Sequence, residues 1–381
     1  MIFRILEDRY TEQSKQSKAV DRRFMELALC LGARGLGQTW PNPAVGAVIV
    51  KDGVIVGRGW TASGGRPHAE TEALARAGAA ARGATVYVTL EPCSHHGKTP
   101  PCADALIAAG VARVVSAIED PNPEVAGQGH ARLRAAGIVV EVGLCAEEAR
   151  RAHAGHIRRV SSGRPHVTLK LAVSADDRIG AAGRQPVAVT GEQVRSMVHL
   201  QRAQHDAILI GVGTALSDDP ELTCRLPGME KRSPVRVVLD RRLRLPASSK
   251  LVRTARATPV WLYAERAGEP SKTAVIEAAG VEIRAMPTSA PPLDLHAILN
   301  DLARSGITRL MVEGGSRVAA SFLAADLVDE AWLYRSKTAI GADGVPALEG
   351  MPLSHLTQSS AFRLRASEDV DNDHLAIYER S

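Results

Sequence analysis

The sequence predicts two α/β domains in tandem, and three observations carry that reading. A chain of 381 residues is longer than one hydrophobic core usually supports. Strand-like and helix-like runs alternate in each half, which is the pattern of layered α/β architecture. Between the halves lies Ser161-Ser162-Gly163-Arg164-Pro165, a stretch rich in residues that interrupt regular structure.

Residues 1–20 are polar and without apolar periodicity, so they read as a flexible extension whose start codon is open to question. Asp21 is a candidate N-cap for a helix carrying Phe24, Met25, Leu27, Ala28 and Leu31. Val45 to Val50 and Val54 to Val56 flank Lys51-Asp52-Gly53, and an Asp-Gly pair between β-rich runs signals a hairpin. A helix is expected from His68 to Ala81, a strand from Ala84 to Leu90, a helix from Cys102 to Ala109 closed by Gly110, and a strand from Val111 to Ile118. Another helix precedes Gly137, and Ile138 to Val142 is the next strand. The expected organisation is a first domain over 21–145, a linker over 146–165 and a second domain over 166–381. In the second, Val167 to Val173, Ala207 to Leu209, Val235 to Leu239, Pro259 to Leu262, Arg309 to Val312 and Asp329 to Leu333 read as strands.

Composition narrows the function classes. Apolar residues make up 45% and charged residues 23%, ordinary for a soluble globular protein, while aromatics at 3% require aliphatic cores. No run is apolar enough to span a bilayer, and the first residues lack a signal-peptide pattern, so no membrane association and a cytoplasmic location are expected. Five cysteines argue for thiolate chemistry over a disulfide framework. The net charge of +5 is compatible with acidic small substrates and does not demand nucleic acid. His156-Ile157-Arg158-Arg159 and Arg164 admit a phosphate-binding reading, but beside Ser-Ser-Gly a solvated linker is the simpler account.

The chemistry is concentrated in His68-Ala69-Glu70, Pro92-Cys93 and Cys102. One imidazole and two thiolates leave a tetrahedral Zn²⁺ with one open position, the mark of a catalytic site. Placing both cysteines at helix starts would favour their thiolate forms. Zinc then supplies hydroxide near neutral pH, and Glu70, two residues past a ligand, is placed to carry protons to the ring nitrogen and the leaving ammonia. His-x-Glu with Pro-Cys and a second Cys is a zinc-deaminase pattern. Here the two cysteines are separated by Ser94-His95-His96-Gly97-Lys98-Thr99-Pro100-Pro101 instead of two residues. A structural zinc with His95 or His96 as fourth ligand is the competing reading, but it leaves Glu70 without a role. A coincidental arrangement is a third.

Pro41-Asn42-Pro43-Ala44-Val45-Gly46, His68-Ala69-Glu70, Tyr87 to His95, Gly97 to Cys102 and Asp120-Pro121-Asn122-Pro123 closely resemble the bifunctional deaminase/reductase family of riboflavin biosynthesis, which has the long inter-cysteine insert. The resemblance continues through Gly163-Arg164-Pro165, Val167 to Ser174, Arg202-Ala203-Gln204, Asp206 to Leu209, Gly213-Thr214, Asp218-Asp219-Pro220 and Val312-Glu313-Gly314-Gly315. It implies a cytidine-deaminase-like three-layer α/β/α domain followed by a dihydrofolate-reductase-like α/β domain. The implied reactions are hydrolytic deamination of 2,5-diamino-6-ribosylamino-4(3H)-pyrimidinone 5′-phosphate and NADPH-dependent reduction of the ribosyl to a ribityl chain.

For the deaminase pocket the resemblance implies Asn42, His95, Lys98, Asp120 and Asn122. For the reductase it implies Arg202, Leu222, Arg225 and Glu313 at the substrate. Ala172, Thr214, Asp218 and the segment Gly315, Ser316, Arg317 are then expected at NADPH, with Lys170 as a substrate-orienting or proton-handling group. Backbone amides at a strand-to-helix glycine turn suit a dinucleotide phosphate, although such a turn also occurs without a ligand. Thr61 stands where the family often has histidine, Asp177 where it commonly has glycine, and Pro186-Val187-Ala188 where it has a tryptophan. A chain with an active deaminase and a degenerate reductase half is therefore one alternative. A nucleic-acid base deaminase is another, but it needs stacking aromatics that this composition scarcely provides. The expected partner is a small phosphorylated pyrimidine, and a homo-oligomer is expected.

Overall fold

The computed structural model describes residues 2–95, 100–123, 125–184, 187–265, 270–285 and 294–381, and the chain divides into two compact units, Met1–Ser162 and Gly163–Ser381. The first contains α1 (Ile2–Ala33), β1 (Gly46–Lys51), β2 (Val54–Trp60), α2 (Ala69–Ala77), β3 (Thr85–Val88), α3 (Cys102–Ala109), β4 (Arg113–Ser116), α4 (Gln128–Ala135), β5 (Val139–Val142), α5 (Ala146–Ala152) and α6 (Ala154–Ser162). Its sheet runs β2-β1-β3-β4-β5, antiparallel where β1 meets β2 and β3 and parallel across β3, β4 and β5. Asp52 and Gly53 both take positive φ at the β1–β2 turn, as an Asp-Gly hairpin requires. Helices α1, α5 and α6 pack in sequence with one another, and α2 and α4 each pack on α3, so two helical sets accompany the sheet. The core between is aliphatic, with Val48, Ile49, Val86, Val88, Leu106, Val114 and Leu133 excluded from solvent.

Three expectations change at this level. Residues assigned to a loose extension lie in α1, which begins at Ile2; the run of Arg, Glu, Gln and Lys there is helix-favouring even without an apolar stripe. Asp21 is an interior residue of that helix and not its cap. It is buried, and its carboxylate accepts two hydrogen bonds from Arg113 at 3.1 and 2.7 Å as well as one from the Tyr87 hydroxyl. Residues 146–162 form α5 and α6 within the first unit, because Ala149 and Cys145 enter its core and Ile157 packs against it.

The second unit contains β6 (His166–Val173), β7 (Arg178–Gly180), α7 (Glu192–Ala203), β8 (Ala207–Gly211), α8 (Val212–Asp218), β9 (Val235–Leu239), α9 (Lys250–Arg253), β10 (Val260–Ala264), α10 (Pro270–Ala278), β11 (Val281–Ala285), α11 (Leu295–Arg304), β12 (Arg309–Val312), α12 (Ser316–Ala324), β13 (Glu330–Ser336), β14 (Val345–Pro346), α13 (Ser354–Thr357), β15 (Phe362–Val370) and β16 (Asp373–Arg380). Nine strands form one sheet, β11-β10-β9-β8-β12-β6-β13-β16-β15. It is parallel from β11 to β13 and antiparallel at β16 and β15. The chain leaves β6 for β8, runs outward to β11, and then inserts β12 between β8 and β6. That reversal of direction is where open α/β sheets bind ligands, outside the carboxyl ends of the strands.

Candidate active sites

In the first unit, two helix starts and one loop bring the candidate metal-binding side chains together. His68 is the N-cap of α2, Glu70 is that helix's second residue, and Cys102 is the first residue of α3. Cys93 lies in the loop after β3 and not at a helix start, yet its Sγ accepts the backbone N–H of Cys102 at 3.3 Å. Cys93 thus receives the electropositive end of α3 from outside the helix. His68 Nδ1 is 3.3 Å from Cys102 Sγ and 3.7 Å from Cys93 Sγ. Zn–N and Zn–S bonds of about 2.1 and 2.3 Å in a tetrahedron place N and S roughly 3.6 Å apart, so these residues fit a zinc ion.

The electrostatics agree with the donor set. Hydrogen bonding from the Cys102 thiol, with further help from His68, holds Cys93 down at about 4, a thiolate at neutral pH. The same pairing, together with burial, pushes Cys102 up; a dication between the sulfurs removes the reason for them to share a proton. Glu70 is 3% exposed, and burial, with the charge of Cys93, pushes its carboxyl up to about 7.

These groups border a cavity of about 250 Å³ lined also by Asn42, Thr61, His95, Asp120 and Asn122. Asn42 Nδ2 donates to the Gly65 carbonyl at 2.8 Å, leaving its amide oxygen as an acceptor. Thr61 accepts the Val45 N–H at 3.0 Å, a bond that fixes the pocket wall. His95 is exposed at the rim, and Lys98 lies outside the described residues. Three features went unnoticed in the sequence. The Glu91 carboxylate accepts backbone N–H groups from Asp120, Gly127, Gly129 and His130 at 2.9–3.2 Å, tying the Cys93 segment to the loop that carries Asp120 and Asn122. Its place in Leu90-Glu91-Pro92-Cys93 was the available signal. His156 and Arg159, set aside as linker residues, line the cavity, as does Arg66.

The second unit holds a cavity of about 360 Å³ at the β8–β12–β6 reversal. Lys170 and Ala172 alternate on β6 so that both face it. Glu313 follows β12 and receives both Nε and Nη2 of Arg202, each at 2.8 Å. Burial opposes ionisation of Glu313, but the Arg202 charge outweighs it and holds the carboxyl at about 2. Burial lowers Lys170, with Glu313 acting against that trend. Leu222 is buried in the cavity wall with φ of +57°, a costly conformation for a non-glycine residue that favours a functional reason. Arg225 is half-exposed and pairs with Glu221 at 3.5 Å, outside the cavity lining.

Gly314-Gly315 turns β12 into α12, and the turn admits no larger residue: a β-carbon on Gly314 would lie 2.7 Å from Val318 Cβ, and one on Gly315 2.9 Å from Thr214 Oγ1. Thr214 accepts the Gly315 N–H at 3.0 Å. Ser316 Oγ, on the first turn of α12 and lining the cavity, is buried without a hydrogen-bond partner. A narrow glycine turn, a helix start and an unsatisfied hydroxyl fit the phosphates of NADPH. Thr214 and Asp218 of α8 and Gly315 and Ser316 border the same space. Arg317 points away, exposed and paired with Glu349 at 2.8 Å. Asp177 has φ of +60°, which aspartate tolerates better than most residues, and it accepts from Arg335 at 2.5 Å. Val187, Ala188 and Val189 border the cavity in the region where the tryptophan was expected.

Comparison with known proteins places both halves. Residues 18–118 match the model of the cytidine and deoxycytidylate deaminase zinc-binding region, and 165–376 match that of the RibD C-terminal domain. The riboflavin biosynthesis protein RibD of Aquifex aeolicus is 38% identical, with 95% of this chain and 99% of that protein covered. Its Escherichia coli counterpart is 41% identical, with 93% and 97% covered. A solved structure of Acinetobacter baumannii RibD superposes with a TM-score of 0.84 at 36% identity, covering 96% of this chain and 99% of that one. A diaminohydroxyphosphoribosylaminopyrimidine deaminase/5-amino-6-(5-phosphoribosylamino)uracil reductase from Thermotoga maritima does so with a TM-score of 0.83 at 36% identity, covering 96% and 100%.

Proposed function

The chain belongs to the RibD family of riboflavin-biosynthesis enzymes, and we propose that it carries out that family's deamination in its first unit and its reduction in its second, through the residues named above. The activities are those of a bifunctional deaminase and reductase using zinc and NADPH. The observation that carries the residue assignment is the His68, Cys93 and Cys102 triad, all within 4.8 Å of one another, with buried Glu70 alongside.

His68, Cys93 and Cys102 hold the zinc, which when bound supplies a Lewis acid that makes water acidic near neutral pH. With zinc bound, Glu70 would take one proton from the attacking water and pass it to the pyrimidine ring nitrogen, then carry the second water proton from the newly added hydroxyl to the amino group, which leaves as ammonia. Asn42, Asp120 and Asn122 offer the acceptors and donors that a diaminopyrimidinone edge requires, with His95 bordering the same cavity; Lys98 is assigned to the substrate by resemblance alone. In the second unit NADPH supplies the reducing equivalent. The Gly315 and Ser316 turn, Thr214, Asp218 and Ala172 position the cofactor, whereas Arg317, paired with Glu349, takes no part. Arg202 and Glu313 act as one bidentate pair, presenting a fixed polar wall to the ribosyl chain with Leu222, while Lys170 orients the carbonyl or imine and handles its proton. Arg225 serves the substrate only from the cavity edge. The substrate is a small phosphorylated pyrimidine, the protein is a homo-oligomer in the cytoplasm, and nucleic acid is not a partner. No helix among the described residues is long and apolar enough to cross a membrane.

Purified protein supplied with the diaminopyrimidine phosphate and NADPH tests the assignment if ammonia and NADPH oxidation are followed separately. Release of one ammonia followed by oxidation of one NADPH per substrate is expected. Ammonia without oxidation would mean that the second unit is degenerate, and neither signal would reject the function.

A further inference from the structure

One wall of the second cavity does not belong to the nine-stranded sheet. Ile179 and Gly180 of β7 and Val345 of β14 line the cavity, and among the described residues these two strands pair only with each other, Gly180 opposite Val345. They pack closely: a β-carbon on Gly344 would lie 3.0 Å from the Arg178 side chain and 3.1 Å from the Gly180 carbonyl oxygen. β7 and β14 thus form one flap, and its angle over the cavity is set where it joins the sheet. That junction is the turn from β6 to β7. Within it the Asp177 N–H donates to the Ser174 carbonyl at 3.1 Å, and the Ser174 N–H donates to the Arg178 carbonyl at 2.8 Å. The Asp177 carbonyl accepts the Ala347 N–H at 3.0 Å, which ties the turn to the end of β14 as well.

Asp177 is the strained position of this turn. Its φ of +60° is one that glycine adopts freely and aspartate adopts at a cost. Its carboxylate has a fixed partner. Arg335 stands on β13 opposite Val173, the last residue of β6. Its Nη1 donates to Asp177 Oδ1 at 2.5 Å and reaches the Ser174 and Ala175 carbonyls at 3.5 and 3.4 Å. The Arg335 and Asp177 side chains remain 35% and 48% exposed, so solvent screens the pair and it adds little to the stability of the whole unit. A backbone cost without a matching gain in global stability points to a local role.

We infer that Asp177 and Arg335 are positioning residues for the reduction: their ion pair locks the β6–β7 turn to the main sheet and so fixes the flap residues Ile179, Gly180 and Val345 against the reacting groups. The inference rests on the proposed reductase reading and deepens it. β6 brings Lys170 and Ala172 to the cavity on one side of the turn, and β7 brings Ile179 and Gly180 on the other. A change of angle at Asp177 therefore alters the space between the lysine that handles the proton and the wall that confines the cofactor and substrate. Hydride transfer is sensitive to such displacements, because it requires donor and acceptor carbons in close, aligned approach.

The test follows NADPH oxidation with the already deaminated intermediate as substrate, and melting temperatures are measured alongside. Asp177→Asn keeps the side-chain shape and removes the charge; Asp177→Gly also relieves the backbone strain, so its folding is not at risk. At saturating NADPH, kcat should fall about tenfold in both and in Arg335→Gln, with KM for NADPH changing far less, as misplacement of reacting groups predicts. Arg335→Lys keeps the cation and should recover part of the loss. Because the two residues act through one another, the double variant Asp177→Asn/Arg335→Gln should be no slower than the slower single variant. Added salt should lower kcat of the unaltered protein and leave that of Asp177→Gly unaffected, since it screens a half-exposed pair. Melting temperatures should stay close to that of the unaltered protein. Single variants with unaltered kcat, losses that multiply in the double variant, or losses that track a falling melting temperature would each overturn the inference and leave the reductase reading standing. No NADPH oxidation by the unaltered protein would remove that reading and this inference together.

Discussion

Glu70 occupies the first turn of α2 with almost no exposed surface, so Glu70→Gln preserves its volume and removes only its ability to exchange a proton. Ammonia release should fall by about 10²- to 10⁴-fold, the usual weight of a positioned acid–base group, while zinc content stays stoichiometric. Unchanged turnover would assign the site to structure. A second residue makes a pH prediction. His205 is fully buried, its Nδ1 lies 2.7 Å from the Gln201 carbonyl and its Nε2 3.0 Å from Thr168 Oγ1. The carbonyl can only accept, so Nδ1 carries the proton and neutral Nε2 accepts from the threonine. Burial lowers this histidine from its ordinary 6.5 to about 4. The unfolded chain therefore binds more protons between those values. Stability from keeping His205 neutral is intact above pH 6.5 and declines toward pH 4, with a slope of up to about 1.4 kcal/mol per pH unit. Melting temperatures at pH 7 and pH 5 check it: the drop should be smaller in His205→Gln, and equal drops would refute the assignment.

At the scale of elements, the turn from β12 to α12 controls the reductase cavity. Gly314→Ala would place a methyl 2.7 Å from Val318 Cβ, an atom fixed to the helix backbone, so α12 itself has to move. The expected result is at least a tenfold rise in the NADPH dissociation constant with ammonia release unchanged; titration of cofactor fluorescence measures it, and an unaltered constant would show that α12 does not hold the phosphates. The β12–α12 turn was legible because two glycines follow a β-rich run. Strands β15 and β16 were not anticipated: Arg363, Leu364 and Arg365 of β15 all face solvent, so no buried face imposes a clear period-two pattern. Helix α6 was misread for a related reason. Its Ser161-Ser162-Gly163 end and its arginines resemble a solvated linker, and only packing against the core reveals that His156 and Arg159 face a cavity.

At the scale of the whole molecule, the two-unit division and the strand order of reading followed from length and from alternating apolar runs, since both record how much surface each half must bury. The grouping of His68, Cys93 and Cys102 was equally legible, because zinc coordination restricts residue type as well as geometry. Glu91 and Arg195, which lines the second cavity, were not, because a carboxylate that ties two loops, or a cation that lines a cavity, is defined by distant chain segments. The three proposed zinc ligands, His68, Cys93 and Cys102, lie in Met1–Ser162, whereas Lys170, Arg202, Glu313 and the glycine turn lie in Gly163–Ser381. Removing zinc should therefore separate the activities. Dialysis against a chelator at neutral pH should abolish ammonia release, and NADPH oxidation should persist when the already deaminated intermediate is supplied. Restoring zinc should return ammonia release, because binding recovers the contacts that His68, Cys93 and Cys102 make between α2, α3 and the loop before it. Parallel loss of both activities on chelation, with both returning on zinc addition, would show that the second unit depends on the metal, contrary to a ligand set confined to the first.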